Sequence, residues 1–152
     1  MKSNQFEVNE VELIYTPKMY QGEYTKVTDA LTAALVFRQA YNPNTIHFQE
    51  ECIVMYLNNS NEIICLNKLS KGGITSTVVD FRLIMAVALK CFATGIIISH
   101  NHPSGKTKPS ESDITLTKDL KEIGRLLNIP LLDHIILVPG YAFYSFLEEG
   151  ML

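Results

Sequence analysis

Hydrophobic and polar positions along the 152-residue chain fall into alternating, helical and continuous apolar stretches. Residues 8–16 alternate and end in Leu13-Ile14-Tyr15 ahead of Pro17, which predicts an edge strand. From Thr25 to Tyr41, the positions Val27, Ala30, Leu31, Ala34 and Phe37 recur at helical spacing, and Asn42-Pro43-Asn44 ends that helix. Cys52 to Leu57 is apolar without interruption, the pattern of a strand covered on both faces. Asn58-Asn59-Ser60-Asn61 is a turn, and Ile63 to Leu69 returns as the hairpin partner. Gly72-Gly73 breaks the chain, and Ile74 to Val79 reads as a further strand. Asp80 can cap a helix running to about Phe92. Its residues Leu83 to Leu89 are apolar nearly all round, so a central helix is predicted.

Gly95 to Ser99 is a short buried strand. A helix from about Glu111 to Leu127 turns Ile114, Leu120, Ile123 and Leu127 inward, and Leu131 to Val138 is another buried strand. Pro139-Gly140 is a turn, and Tyr141 to Phe146 a last short strand. Hairpins mixed with helical crossovers predict an α/β fold with a mixed sheet flanked by helices. No internal repeat, low-complexity tract or linker interrupts the pattern, and the length fits one domain over 1–152.

Composition narrows the function classes. With 47% apolar residues the chain can bury a substantial core. The net charge is −3 and no dense Lys/Arg cluster occurs, which weighs against direct nucleic-acid binding. Three cysteines, Cys52, Cys65 and Cys91, sit in apolar surroundings without C-x-x-C spacing. They read as buried reduced thiols, which favours a cytoplasmic location. The N-terminus has no signal-peptide pattern, and no apolar run approaches the roughly 20 residues of a membrane span.

The chemistry concentrates between Ser99 and Asp113. The apolar run Gly95–Ile98 leads directly into His100 and His102, and period-two alternation puts both imidazoles on one face of the strand end. Asp113 follows eleven residues after His102. A single histidine is more often a polar core or surface residue than a ligand. Two on one face plus a carboxylate form the three-ligand set of a catalytic zinc site, which leaves a position for water. Ser110 and Asp113 also fit N-cap and N3 of the following helix, so Asp113 has a capping role compatible with ligation.

The string His100-x-His102-Pro103, six residues, then Ser110-x-x-Asp113 resembles the JAMM motif of JAB/MPN domains. The longer run His100-Asn101-His102-Pro103-Ser104-Gly105 with Pro109-Ser110 resembles the RadC branch of that group, labelled DNA repair proteins. The resemblance extends over 45–152, including Leu132-Asp133-His134-Ile135-Ile136 and Ser145-Phe146. Residues 1–44 are expected to add an N-terminal strand and helix packed on that core. The resemblance implies the cytidine-deaminase-like layout of JAB domains, a Zn2+ cofactor bound by His100, His102 and Asp113, and a peptide or protein substrate. It also implies a glutamate base just before the first core strand, and a hydroxyl donor to the oxyanion from Ser110.

Glu50 and Glu51 both precede Cys52. RadC-like chains commonly show Glu-His-Phe or Glu-Glu-Phe here, and aligning Cys52 with that Phe puts Glu50 on the family position. Alternation groups Glu50 with Cys52, Val54 and Tyr56, and Glu51 with Ile53 and Met55. A bulge at the strand start would exchange them. Whichever is not the base is expected to be a solvated edge charge. Asn101 points away from the histidine pair and reads as structural. Asp133 and His134 face opposite sides of a buried strand, either as a buried hydrogen-bonded pair or as support behind a zinc ligand. His47 reads as a loop or surface residue.

Three function classes compete. The first is a zinc hydrolase acting on a peptide or isopeptide bond. The second is a nucleic-acid repair module, against which stand the acidic balance and the lack of the helix-hairpin-helix region that full-length RadC-like chains carry. The third is a JAB domain that keeps its metal as a scaffold; the complete ligand set with Glu and Ser argues for activity instead. An HNH nuclease would spread its residues over a ββα unit, and a zinc deaminase would need Pro-Cys-x-x-Cys. Oligomeric state is left open by the sequence.

Overall fold

The structure is a computed structural model that describes residue 16, residues 24–72 and residues 79–152. Nearly all of the strands expected over 8–16 and over 74–79 lies outside the described residues. The element order is α1 (Ala30–Ala40), β1 (Glu51–Leu57), β2 (Ile63–Lys71), α2 (Phe81–Lys90), β3 (Gly95–Asn101), α3 (Glu111–Leu126), β4 (Leu131–Leu137) and β5 (Phe143–Ser145). The sheet runs β2-β1-β3-β4-β5. Neighbours are antiparallel except β3 and β4, which are parallel. A parallel pair needs a crossover, and α3 provides it. This is the mixed sheet with flanking helices that the pattern predicts.

Alternation sorts the central strands onto two faces. Ile53, Met55, Ile97 and Ile135 pack with Ala33 and Phe37 of α1. Val54, Tyr56, Ile96 and Ile98 pack on the other face with Ile84 of α2 and Leu120 of α3. The sheet is therefore covered on both sides, and each fully buried aliphatic side chain contributes about 1.5–3 kcal/mol. His100 follows Ile96 and Ile98 in the alternation, so it belongs to the α2–α3 face.

Polar side chains fix the helix starts. Asp29 accepts from the Thr32 N–H at 2.7 Å at α1, Asp80 accepts from the Arg82 N–H at 2.9 Å at α2, and Ser110 caps α3. Gly124 is required where α3 meets the start of β4: a Cβ there would lie 2.5 Å from the Ile129 carbonyl oxygen.

Three expectations need correction. α2 is not central: only Ile84, Met85 and Ala88 are buried, while Leu83 and Leu89 are 54% and 55% exposed. The sheet covers one side of the helix, whatever the composition of the other. Leu127 lies beyond α3 and is exposed; Thr117, Leu120 and Gly124 are the fully covered positions of that helix. The last strand is also shorter than its apolar pattern, and Tyr141 is fully in solvent.

Candidate metal centre

β3 carries His100 to the end of its pairing with β1, where Cys52 stands opposite. The His102 N–H donates to the Leu137 carbonyl at 2.8 Å, which holds His102 to the edge of β4. Alternation is thus preserved past the strand end, and both rings emerge on one face. α3 brings Asp113 from the other direction. Ser110 Oγ accepts from the Asp113 N–H at 3.2 Å, and the Ser110 N–H donates to Asp113 Oδ2 at 2.7 Å, a complete capping box.

The three side chains converge. His100 Nε2 and His102 Nε2 are 2.9 Å apart, His100 Nε2 lies 3.2 Å from Asp113 Oδ1, and His102 Nε2 lies 3.4 Å from Asp113 Oδ2. Their ligand atoms all fall within 4.8 Å of one another. Side-chain exposures of 11%, 12% and 15% leave the group reachable from outside. Burial pushes the Asp113 carboxyl up, but the adjacent imidazoles of His100 and His102, in their protonated form, outweigh it and hold the group well below the ordinary carboxylate range. The Asp113 carboxylate in turn favours the protonated form of His102 and raises its pKa, against the effect of burial.

Each histidine has a partner on its other nitrogen. His102 Nδ1 lies 2.8 Å from the Lys106 carbonyl. An acceptor there requires Nδ1–H, which leaves Nε2 with its lone pair in the neutral ring. His100 Nδ1 lies 2.8 Å from His134 Nε2. His134 is 1% exposed and stacks on Phe146, with ring centroids 4.6 Å apart. Burial first, then the charge of His100, pulls its pKa well below the ordinary imidazole value. Two imidazole nitrogens and a carboxylate, with no Lys or Arg among the described residues bonded to them, are a donor set suited to zinc.

A cavity of about 260 Å³ opens over this group, and Glu50, Cys52, Val79 and Ser110 contribute to its lining. Glu50 and Glu51 part company as alternation requires. Pairing with β2 shifts register between Cys52 and Ile53, but pairing with β3 runs through Cys52 without a break. Glu51 turns to the α1 side, where Thr45 Oγ1 donates to its Oε1 at 2.9 Å, and it is 1% exposed. The expectation of a solvated edge charge fails for it: the loop between α1 and β1 folds over it. Its Oε2 has no hydrogen-bond partner among the described residues.

Asn101 lies between the two ligand-type histidines and is fully buried on that same side. Its Oδ1 accepts from the Glu51 N–H at 2.7 Å, and its Nδ2 donates to the Ile46 and Gln49 carbonyls at 3.0 and 2.9 Å. It thereby ties the segment carrying Glu50 to β3. Ser110 Oγ lies 2.7 Å from Asp113 Oδ2 and 2.8 Å from Ser112 Oγ, so its hydroxyl is already engaged within the cap.

Asp133 is on the opposite face from His134. It accepts from the His134 N–H, the Leu147 N–H and the Ser145 hydroxyl at 2.7, 3.0 and 2.7 Å, and burial raises its pKa despite them. Its bonds anchor the chain after β5 and none goes to the histidine pair or Asp113. His47 is exposed. The sequence reading passes over Thr117, whose Oγ1 lies 2.6 Å from His134 Nδ1 and donates to the Asp113 carbonyl at 2.6 Å. Its signal is the spacing: Thr117 is one helical turn beyond Asp113, on the same face.

The fold and the site together define a class: a mixed α/β domain whose central strand and crossover helix present two histidines and an aspartate at one cavity. The RadC-like JAB domain family matches residues 24–151, and the chain belongs to that family. The match takes in α1 as well as the region from residue 45. Among curated relatives, a UPF0758 protein of Flavobacterium johnsoniae is 47% identical over 102 residues, covering 67% of this chain and 44% of the relative. One from Porphyromonas gingivalis is 46% identical over 104 residues, covering 68% and 46%. The UPF0758 protein YkfG of Escherichia coli is 43% identical over 104 residues, covering 68% and 65%. The chain thus aligns with less than half the length of the first two. No helix among the described residues is long and apolar enough to cross a membrane.

Proposed function

We propose that this domain is a zinc-dependent hydrolase of a peptide or isopeptide bond. The observation that carries the reading is the convergence of His100 Nε2, His102 Nε2 and the Asp113 carboxylate at one cavity that Glu50 also lines. Those three side chains would hold the metal. Zinc in such a site supplies Lewis-acid activation of water, bringing its pKa to about 7. Glu50 moves a proton from the attacking water to the departing amine through its carboxylate. Ser110 donates a hydrogen bond from its hydroxyl to the carbonyl oxygen as negative charge develops there, which requires its bond to Asp113 Oδ2 to give way. Asn101 keeps Glu50 in register with the histidines. The partner is a peptide or protein segment that reaches the cavity, and the compartment proposed is the cytoplasm.

The test is metal analysis of purified protein together with cleavage of a peptide or isopeptide substrate. The wild-type protein is expected to hold about one zinc per chain, and His100→Ala to hold none. Glu50→Ala should retain zinc and lose cleavage, whereas Glu51→Ala should retain both if it folds. Zinc without any hydrolysis, unchanged by Glu50→Ala, would leave a metal-bound scaffold. A repair module gripping DNA predicts tight duplex binding that falls steeply with salt. Weak, salt-insensitive binding is the outcome expected here.

A further inference from the structure

The hydrogen bonds behind His100 have only one consistent direction. The Asp113 main-chain carbonyl can only accept, so Thr117 Oγ1, 2.6 Å away, commits its single proton there. Thr117 Oγ1 must then accept from His134 Nδ1, also at 2.6 Å. His134 is fully enclosed, with no carboxylate among the described residues bonded to its ring, and an unpaired buried imidazolium is costly. With the ring neutral and Nδ1 protonated, Nε2 keeps a lone pair. That lone pair faces His100 Nδ1 at 2.8 Å, which must therefore be the N–H donor. In the neutral ring this leaves His100 Nε2 with its lone pair, facing His102 Nε2 and Asp113 Oδ1.

We propose that His134 and Thr117 are positioning residues that fix His100 in the tautomer offering Nε2 to a metal, with the Asp113 carbonyl setting the direction of the chain. The proposal rests on the reading of His100 as a ligand. It makes the site a closed circuit: α3 supplies Asp113 as ligand and, one turn later, the group that orients the opposing ligand through β4. A shift of α3 along β4 would disturb both at once. Lys106 performs the equivalent service for His102 from a main-chain carbonyl, so each histidine is oriented independently. Outer partners of this kind typically change metal affinity by about 10–100-fold.

Substitutions separate acceptor chemistry from packing. His134→Phe preserves a flat ring against Phe146 but cannot accept a hydrogen bond. His134→Gln loses the ring but can place an amide oxygen near the Nε2 position. Thr117→Val keeps shape and removes the hydroxyl, and Thr117→Ser keeps the hydroxyl. Zinc affinity, measured by competition with a chromophoric chelator, should fall about 10–100-fold for His134→Phe and Thr117→Val. It should stay within a few-fold of wild type for Thr117→Ser and be partly restored in His134→Gln relative to His134→Phe. Equal affinity in His134→Phe and wild type, or equal loss in His134→Phe and His134→Gln, overturns the proposal. Nitrogen-15 NMR of the metal-free wild-type protein needs no variant: His134 and His100 should both appear as Nδ1–H tautomers. A His100 Nε2–H tautomer overturns the proposal even if zinc binds. Failure of the wild type to bind zinc would instead remove the metal reading, while the tautomers still report whether the chain of bonds is ordered as argued.

Discussion

At the residue scale, alternation separates Glu50 from Glu51 before any fold is known, because adjacent strand residues cannot face the same side. The surroundings of Glu51 are not legible in the same way. Its burial depends on the loop between α1 and β1 closing over it, a contact that no local pattern encodes. Asn101 illustrates the same limit. Its direction follows from the strand period, but its bonds to Ile46, Gln49 and Glu51 join segments about fifty residues apart. Asn101→Ala would leave the Glu51 N–H and two carbonyls without this partner in a buried setting. Each buried group left unpaired costs about 1–3 kcal/mol, so the urea midpoint should drop clearly. Zinc should still bind, since no ligand atom is removed. An unchanged midpoint would mean that the loop is held by other contacts.

At the element scale, the start of α3 is the most legible part of the site. Pro109-Ser110 followed by Asp113 announces a cap, and the capping box is present with Asp at N3. The same Asp113 faces His100 through Oδ1 and His102 through Oδ2, and Ser110 also engages Oδ2. Helix nucleation and placement of the proposed ligand therefore share one residue. Ser110→Ala should cost about 1 kcal/mol of stability through the cap, and should also weaken zinc binding by freeing the Asp113 rotamer. Thermal unfolding and chelator competition would read the two effects separately; full zinc affinity with lowered stability would break the link between cap and ligand. α2 was less legible because its sequence is apolar on both sides, and composition cannot say which side a sheet covers. Its buried positions are Ile84, Met85 and Ala88, a stripe fixed by the sheet beneath.

At the scale of the whole molecule, the number and type of the described elements follow from periodicity, whereas strand order does not. Nothing local states that β3 lies between β1 and β4, or that β4 is parallel to it; those pairings set Cys52 opposite His100 and bring His134 beside it. The resulting sheet is covered on both faces, with one buried tyrosine in each layer: Tyr41 on the α1 side and Tyr56 on the α2–α3 side. Tyr41 bonds Ser99 Oγ and the Glu51 carbonyl, and Tyr56 donates to the Ile84 carbonyl at 3.1 Å. Burial is the main reason that both phenols are raised above their ordinary pKa, Tyr41 most strongly because it is wholly enclosed. The unfolded chain releases these protons near pH 10 while the folded protein keeps them. Their contribution is therefore fully present below pH 10 and is lost as pH rises toward the folded values, at up to about 1.4 kcal/mol per pH unit for each group. Urea unfolding of the metal-free protein at pH 9, 10 and 11 should show stability falling across the upper interval. Tyr41→Phe should be less stable than wild type at pH 9, having lost buried hydrogen bonds, yet should lose less between pH 10 and 11. An alkaline loss in Tyr41→Phe as steep as in wild type would mean that Tyr41 ionises within the folded state, and that the layer between α1 and the sheet admits water.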